Sequence, residues 1–158
     1  RKREREKHVT RSADSTKILR HFLHFLLSVA VLPSTMAEEM RRNLMELMKS
    51  TDDVLGIIVT DRDGVPILKV AEEEAPELGL RPTFISTFNI ATDQAGKLGM
   101  GRNNRMVCVY GRYQVVHFNH LPMVVTVIAS SVANTGQLLA LDSQMAPLLA
   151  SLTNVVDV

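Results

Sequence analysis

Residues 105–130 read Arg105-Met-Val-Cys-Val-Tyr110, Gly-Arg, Tyr113-Gln-Val-Val-His-Phe-Asn-His120, Leu-Pro, Met123-Val-Val-Thr-Val-Ile-Ala-Ser130. Three runs rich in β-branched and aromatic residues are separated by two-residue connections carrying Gly111 or Pro122. This is the pattern of a three-strand antiparallel meander. Apolar residues occupy both faces of these runs, so the sheet is expected to be covered on both sides. No catalytic motif lies in the meander or elsewhere, so function has to be sought in surfaces.

Upstream of the meander, Val54–Thr60 and Val65–Ala71 read as two further strands joined by Asp61-Arg-Asp-Gly64, a hairpin turn with Asp-Gly chemistry. A calcium loop is excluded here: Val65 stands at the fifth position and Gly64 is misplaced, although Glu72 fits the twelfth. Ala37–Lys49 carries Met40, Leu44 and Leu47/Met48 on one helical face. Glu38 and Glu39 are expected near its positive end and Lys49 near its negative end. Glu72–Arg81 reads as a solvated acidic loop.

A second helix is expected over Pro82–Leu98, with Pro82 in the first turn where its missing N–H is harmless. Phe84, Phe88, Ala91, Ala95 and Leu98 form one stripe. Thr83, Thr87, Ile90 and Gln94 form a second face without charge, expected to be half-buried. Gly96, Gly99 and Gly101 follow a helix and lack the Lys-Ser/Thr of a phosphate loop, so they read as a helix stop and turn. After the meander, Asn134 is a helix N-cap with Gln137 three residues on. Leu138, Leu141, Met145, Leu148/Leu149 and Leu152 continue a helical stripe, and Pro147 is expected to kink or split it. His117 and His120 are three apart in a strand, on opposite faces, and make a poor metal pair.

Composition narrows the function classes. Hydrophobic residues make up 46% of the 158, enough for a core in one domain plus an appendage. Residues 1–35 hold eight Lys/Arg against three acidic residues, whereas residues 36–158 hold ten against fourteen. The globular part therefore has no charge-based reason to bind nucleic acid. A single cysteine, Cys108, rules out an internal disulfide and reads as a small core residue. Residues 1–35 form a basic, then apolar N-terminal extension, with a run at Ile18–Leu32 too short to span a bilayer. Three readings stand open for it: an alternative-start extension that does not pack, a membrane-surface helix, or a signal segment. Met36 is a plausible initiation point, and residues 36–158 form the domain.

The order helix-strand-strand-helix-strand-strand-strand-helix gives an α+β domain with a five-stranded antiparallel sheet. Pairing of 54–60 with 123–130 would leave 65–71 at one edge and 106–110 at the other. The first edge carries Pro66 and Lys69, which discourage unwanted pairing. The second has neither proline nor charge. It and the second helix read as one dimerisation surface, the alternative being that the last helix or the extension covers the edge.

Several segments together carry a resemblance: Ile58-Val-Thr-Asp-Arg-Asp-Gly-Val-Pro66, Leu80-Arg-Pro82 leading to Ser86-Thr-Phe88, Ala91-Thr-Asp-Gln94, Lys97-Leu-Gly99, Tyr113-Gln-Val-Val116, and Ile128-Ala-Ser-Ser131 with Ala133-Asn-Thr-Gly136. The chain resembles the roadblock (dynein light chain-like) family and, within it, the MEK-partner scaffold subunits of the late endosomal Ragulator complex. The resemblance covers residues 36–158. It implies a profilin-like roadblock fold and a non-enzymatic scaffold or adaptor with no cofactor or metal. The implied partners are a second roadblock-fold subunit in a heterodimer, other Ragulator subunits, Rag GTPases through the complex, and MEK and ERK kinases. Membrane attachment would be indirect, through a lipidated subunit on the cytoplasmic face of late endosomes and lysosomes, in amino-acid signalling to the target-of-rapamycin kinase. The implied interface is Thr83, Phe84, Thr87, Phe88, Ile90, Ala91 and Gln94 on the helix with Met106, Val107, Cys108, Val109 and Tyr110 on the edge strand. Direct regulation of a small GTPase, as exchange factor or activator, and a dynein-associated light chain are the alternative readings. Asn119–Pro122 and Gln137–Met145 depart from the family pattern and leave kinase-contacting residues unassigned.

Overall fold

The computed structural model describes residues 34–156, so the readings made for the extension up to Pro33 lie outside the described residues. The elements are α1 (Ser34–Lys49), β1 (Val54–Asp61), β2 (Pro66–Ala71), a 3-10 turn (Glu77–Leu80), α2 (Pro82–Gly96), β3 (Arg105–Val109), β4 (Tyr113–His120), β5 (Met123–Ser130) and α3 (Thr135–Val156). One antiparallel sheet of five strands runs β2-β1-β5-β4-β3, with the central pairing between β1 and β5. This is the order expected from the two hairpin systems, and both expected edges are edges.

Side-chain alternation sends one set of strand residues to each face. On the inner face Ile57, Val59, Val116, Phe118, Val125 and Val127 meet α1 through Met40, Leu44 and Met48. Leu138, Leu141, Met145, Leu149 and Leu152 of α3 complete this main core. The outer face holds a much smaller cluster, Ile58, Ile128 and Ile85 of α2, with Leu80 packed against it. Helices therefore cover both faces, but unequally.

Several local expectations change. Helix α1 begins at Ser34, so Glu38 and Glu39 fall beyond its first turn, while Lys49 does sit in its last. Residues 72–81 are not simply a solvated loop: a Cβ on Gly79 would lie 2.9 Å from the Ile128 side chain, so the 3-10 turn lies tight against the outer face. Helix α3 is unbroken through Pro147. Proline removes one backbone hydrogen bond, but buried Leu141 and Met145 before it and Leu149 and Leu152 after it hold both halves on the sheet. Asn134 does cap α3, its Oδ1 accepting the N–H groups of Gly136 (2.9 Å) and Gln137 (3.3 Å).

The β1–β2 turn has a second role. Asp61 Oδ1 accepts the N–H groups of Asp63 (2.9 Å) and Val65 (2.8 Å), closing the turn. Gly64 then sits at φ 84°, with its missing Cβ 3.0 Å from the Pro82 carbonyl and 3.3 Å from Ser86 N. The turn is thus pressed on the first turn of α2. Gly64→Ala is expected to cost about 1–3 kcal/mol through left-handed strain and this collision. Urea unfolding reads the cost directly, and an unshifted midpoint would show that the turn does not bear on α2.

Candidate partner interface

Helix α2 starts at Pro82, whose ring presets the first turn, and stops at Gly96, followed by Gly99 (φ 78°) and Gly101 (φ 86°) in left-handed conformations. Its buried stripe is Ile85, Phe88 and Thr92, not the expected Phe84-Phe88-Ala91-Ala95-Leu98 line. The helix is rotated so that Ile85 reaches Ile58 and Ile128 on the outer face. Phe88 is buried below the helix, where its ring stacks on His117 at 5.5 Å between centroids. Phe84 and Ala91 are half-buried, and Phe84 lies 5.1 Å from the Phe88 ring.

A polar thread fastens this rotation. His117 of β4 is buried, its Nδ1 3.1 Å from Thr126 Oγ1 and its Nε2 2.9 Å from Asn89 Oδ1. The Asn89 amide nitrogen donates to the Arg62 carbonyl (2.7 Å), which makes its oxygen the group facing His117. That oxygen only accepts, so Nε2 carries the ring proton and Nδ1 accepts from the Thr126 hydroxyl. Arg62 also meets Asp93 at 3.4 Å. Burial pulls the His117 pKa down to about 4, so the ring is neutral at pH 7.

The face turned away from the sheet is Thr83, Thr87, Ile90 and Gln94, and all four are exposed instead of half-buried. Ile90 is 62% exposed. A helix face with no charge and an isoleucine in water is unfinished. The loop leaving α2 adds Leu98 and Met100, the latter 90% exposed, and neither was singled out for a partner in the sequence. Strand β3 connects to α2 through the helix's sheet-facing side. Met106 pairs directly with His117, which touches Phe88, so helix and edge strand are joined through one stack.

In β3 the bonded pairs follow from Tyr110 N–H to Tyr113 O (2.7 Å) and Asn119 N–H to Asn104 O (2.9 Å). Alternation makes Met106 and Cys108 the residues bonded to β4. The N–H and C=O groups of Arg105, Val107 and Val109 consequently point to the open edge. Val107 and Val109 stand opposite Val116 and Gln114 on the inner-face side, yet both are exposed, Val109 at 67%. Neither α3 nor α1 extends over them. Cys108 is half-buried and not a core residue, because its strand is last in the sheet and α2 does not reach fully across it. Tyr110 falls just past the strand end, and burial raises its pKa with a contribution from Cys108. Six of the ten large exposed apolar side chains fall in sequence between Ile90 and Tyr110, on α2, on the loop after it, and on or just past β3.

On the inner side Asp142 of α3 receives Arg105 Nε at 2.8 Å, with Arg105 Nη2 on the same oxygen and His120 Nε2 on the other. Burial pushes the Asp142 carboxyl up, but the hydrogen bonds from His120 and Arg105 outweigh it and hold the pKa below the usual value. His117 and His120 thus serve opposite faces, as their spacing implies. Among the described residues there is no cluster of three or more His, Cys, Asp or Glu placed to hold a metal ion, and no helix long and apolar enough to cross a membrane.

Solved structures share this architecture. MglB in a tetrameric arrangement superposes with a TM-score of 0.68 over 80% of this chain and 96% of that one, at 19% identity. A Roadblock/LC7 domain from Streptomyces avermitilis gives 0.57 over 75% and 98%, at 12% identity. At such identities the likeness concerns fold alone, and the class is a roadblock-like α+β domain. The chain belongs to the family described as mitogen-activated protein kinase kinase 1 interacting, which matches residues 38–156. It is 52% identical over 123 residues to Ragulator complex protein LAMTOR3 of Xenopus tropicalis, covering 78% of this chain and 99% of that protein. The Homo sapiens protein of the same description is 50% identical over the same length.

Proposed function

We propose that this chain is a non-enzymatic scaffold subunit of a Ragulator complex, completed by a second roadblock-fold subunit that adds a strand to β3 and a helix to the outer face of α2. The observation that carries the reading is an open strand edge without proline or lysine together with exposed Ile90, Leu98, Met100, Val107, Val109 and Tyr110. Half-identity to Ragulator subunits over nearly their whole length supplies the complex. The contact set is Thr83, Thr87, Ile90 and Gln94 with Val107, Val109 and the edge backbone, while Phe84, Ala91, Met106, Cys108 and Tyr110 take rim positions. Phe88, being buried, shapes the surface from below. The heterodimer presents MEK and ERK kinases and, through the complex, Rag GTPases on the cytoplasmic face of late endosomes and lysosomes, with a lipidated subunit providing the membrane attachment. Residues 36–158 carry this activity and residues 1–35 are an appendage to it.

Native mass spectrometry of the full chain and of residues 36–158, each alone and mixed with the second roadblock subunit of the relatives' complex, tests this. One-to-one heterodimers from both forms are expected, with a buried surface on the order of 1,200–2,000 Å². Absence of any heterodimer would remove the reading, and a heterodimer from the full chain alone would show that the extension is part of the interface.

A further inference from the structure

Strand β3 is the least supported element of the sheet. No residue of Arg105–Val109 is buried, and β3 pairs with β4 alone. Among the described residues, one side-chain tie joins it to another element: Arg105, which reaches across the inner side to Asp142 of α3. Asp142 is well placed to hold it. Its side chain is 11% exposed, its other oxygen is taken by His120 at the end of β4, and it lies between buried Leu141 and the α3 turn leading to buried Met145. Both of its oxygens are thus engaged by neighbouring side chains. It grips the strand at the end remote from the Gly111-Arg112 hairpin, which already fixes the other end through Tyr110 and Tyr113.

We propose that Asp142 is a positioning residue for partner binding: by clasping Arg105 and His120 together it holds β3 flat against β4, so that the outward N–H and C=O groups of Arg105, Val107 and Val109 are aligned before a partner strand arrives. This rests on the edge-pairing reading above. The physical ground is that strand addition to a frayed edge must first order that edge, and ordering lowers affinity by its own cost. Asp142 and the three outward-facing residues therefore act as one unit, although Asp142 itself does not face the edge. Sequence gave no sign of this, since Arg105 and Asp142 are 37 residues apart.

The test is amide hydrogen exchange, read by NMR on the full chain, with capture of the second roadblock subunit measured in parallel. The Met106 and Cys108 amides, which bond to β4, report on the clasp, and Ile57 and Val127 amides in the central strands report on the fold as a whole. Asp142→Asn is expected to speed exchange at Met106 and Cys108 about tenfold with Ile57 and Val127 unchanged, and to weaken capture about tenfold. Asp142→Glu should recover a large part of both. Arg105→Met, at a half-exposed side chain that threatens the fold less, should reproduce the local effect. Unchanged β3 exchange in both Asp142→Asn and Arg105→Met overturns the clasp, and so does acceleration spread evenly over the central strands. Acceleration confined to β3 with undiminished capture overturns its part in binding. If Val109→Lys still abolishes capture in that case, the edge reading survives without the clasp; if it does not, both are lost.

Discussion

Val109→Lys, alone or combined with Val107→Lys, is expected to abolish heterodimer formation while leaving the isolated chain folded. In the free chain Val109 is 67% and Val107 38% exposed, so a lysine at either position keeps its ammonium in water. Surface substitutions of this kind move stability by only about 0.5 kcal/mol. In the completed sheet the same side chains would be walled in by the partner's strand and helices, and the lysine would have to shed its hydration. A loss of about 2–4 kcal/mol, or roughly 30- to 1,000-fold in affinity, follows if these valines are central to the contact. Circular dichroism would show unchanged helix content. Co-purification of both single variants at wild-type stoichiometry would place the interface elsewhere on the domain.

The second large effect is expected on the acid side. His117 titrates near 4 in the folded chain against 6.5 in an unfolded one. Between these values the unfolded chain binds the proton and the native chain does not, so stability falls as the pH is lowered through that window. The full difference corresponds to about 3 kcal/mol. It acts on the thread joining Thr126, His117, Asn89 and the Arg62 carbonyl, which fixes α2 and hence the direction of its exposed Thr83, Thr87, Ile90 and Gln94 face. His117→Gln should remove most of this acid sensitivity, because an amide can donate to Asn89 and accept from Thr126 without titrating. Urea unfolding at pH 7, 5.5 and 4.5 compares the two. Other groups do not mimic the signal. Asp142, held low by His120 and Arg105, contributes stability above its unfolded value of 3.8 that is lost only below it. Asp61 is raised by burial against its backbone hydrogen bonds, and so works in the opposite sense. Equal acid sensitivity in the parent and His117→Gln chains would show that His117 is not the group responsible.

Strand order, the open edge and the inner helical stripes were legible because period-2 and period-3.6 patterns record which residues must leave water. Proline and lysine in β2 against their absence in β3 distinguish the two edges. The outward set of α2 could not be placed so well. Its sequence carries apolar residues on several sides, and periodicity alone cannot say which side the sheet takes. The rotation was decided by where Ile58 and Ile128 rise from the outer face and by the Asn89–His117 contact, both distant in sequence from the helix residues they orient. Cys108 is half-buried for a related reason: an apolar strand residue is buried only if something lies over it, and β3 is the last strand of the sheet.

By itself, then, the chain determined its elements, their pairing order and the existence of an unfinished surface, since local patterning and turn chemistry act over a few residues. Only the tertiary structure decided which residues of α2 face outward, that Val107 and Val109 stand uncovered, and that Arg105 of β3 meets Asp142 of α3. Those facts depend on side chains brought together across long stretches of chain, where burial, directional hydrogen bonds and charge are settled by three-dimensional packing.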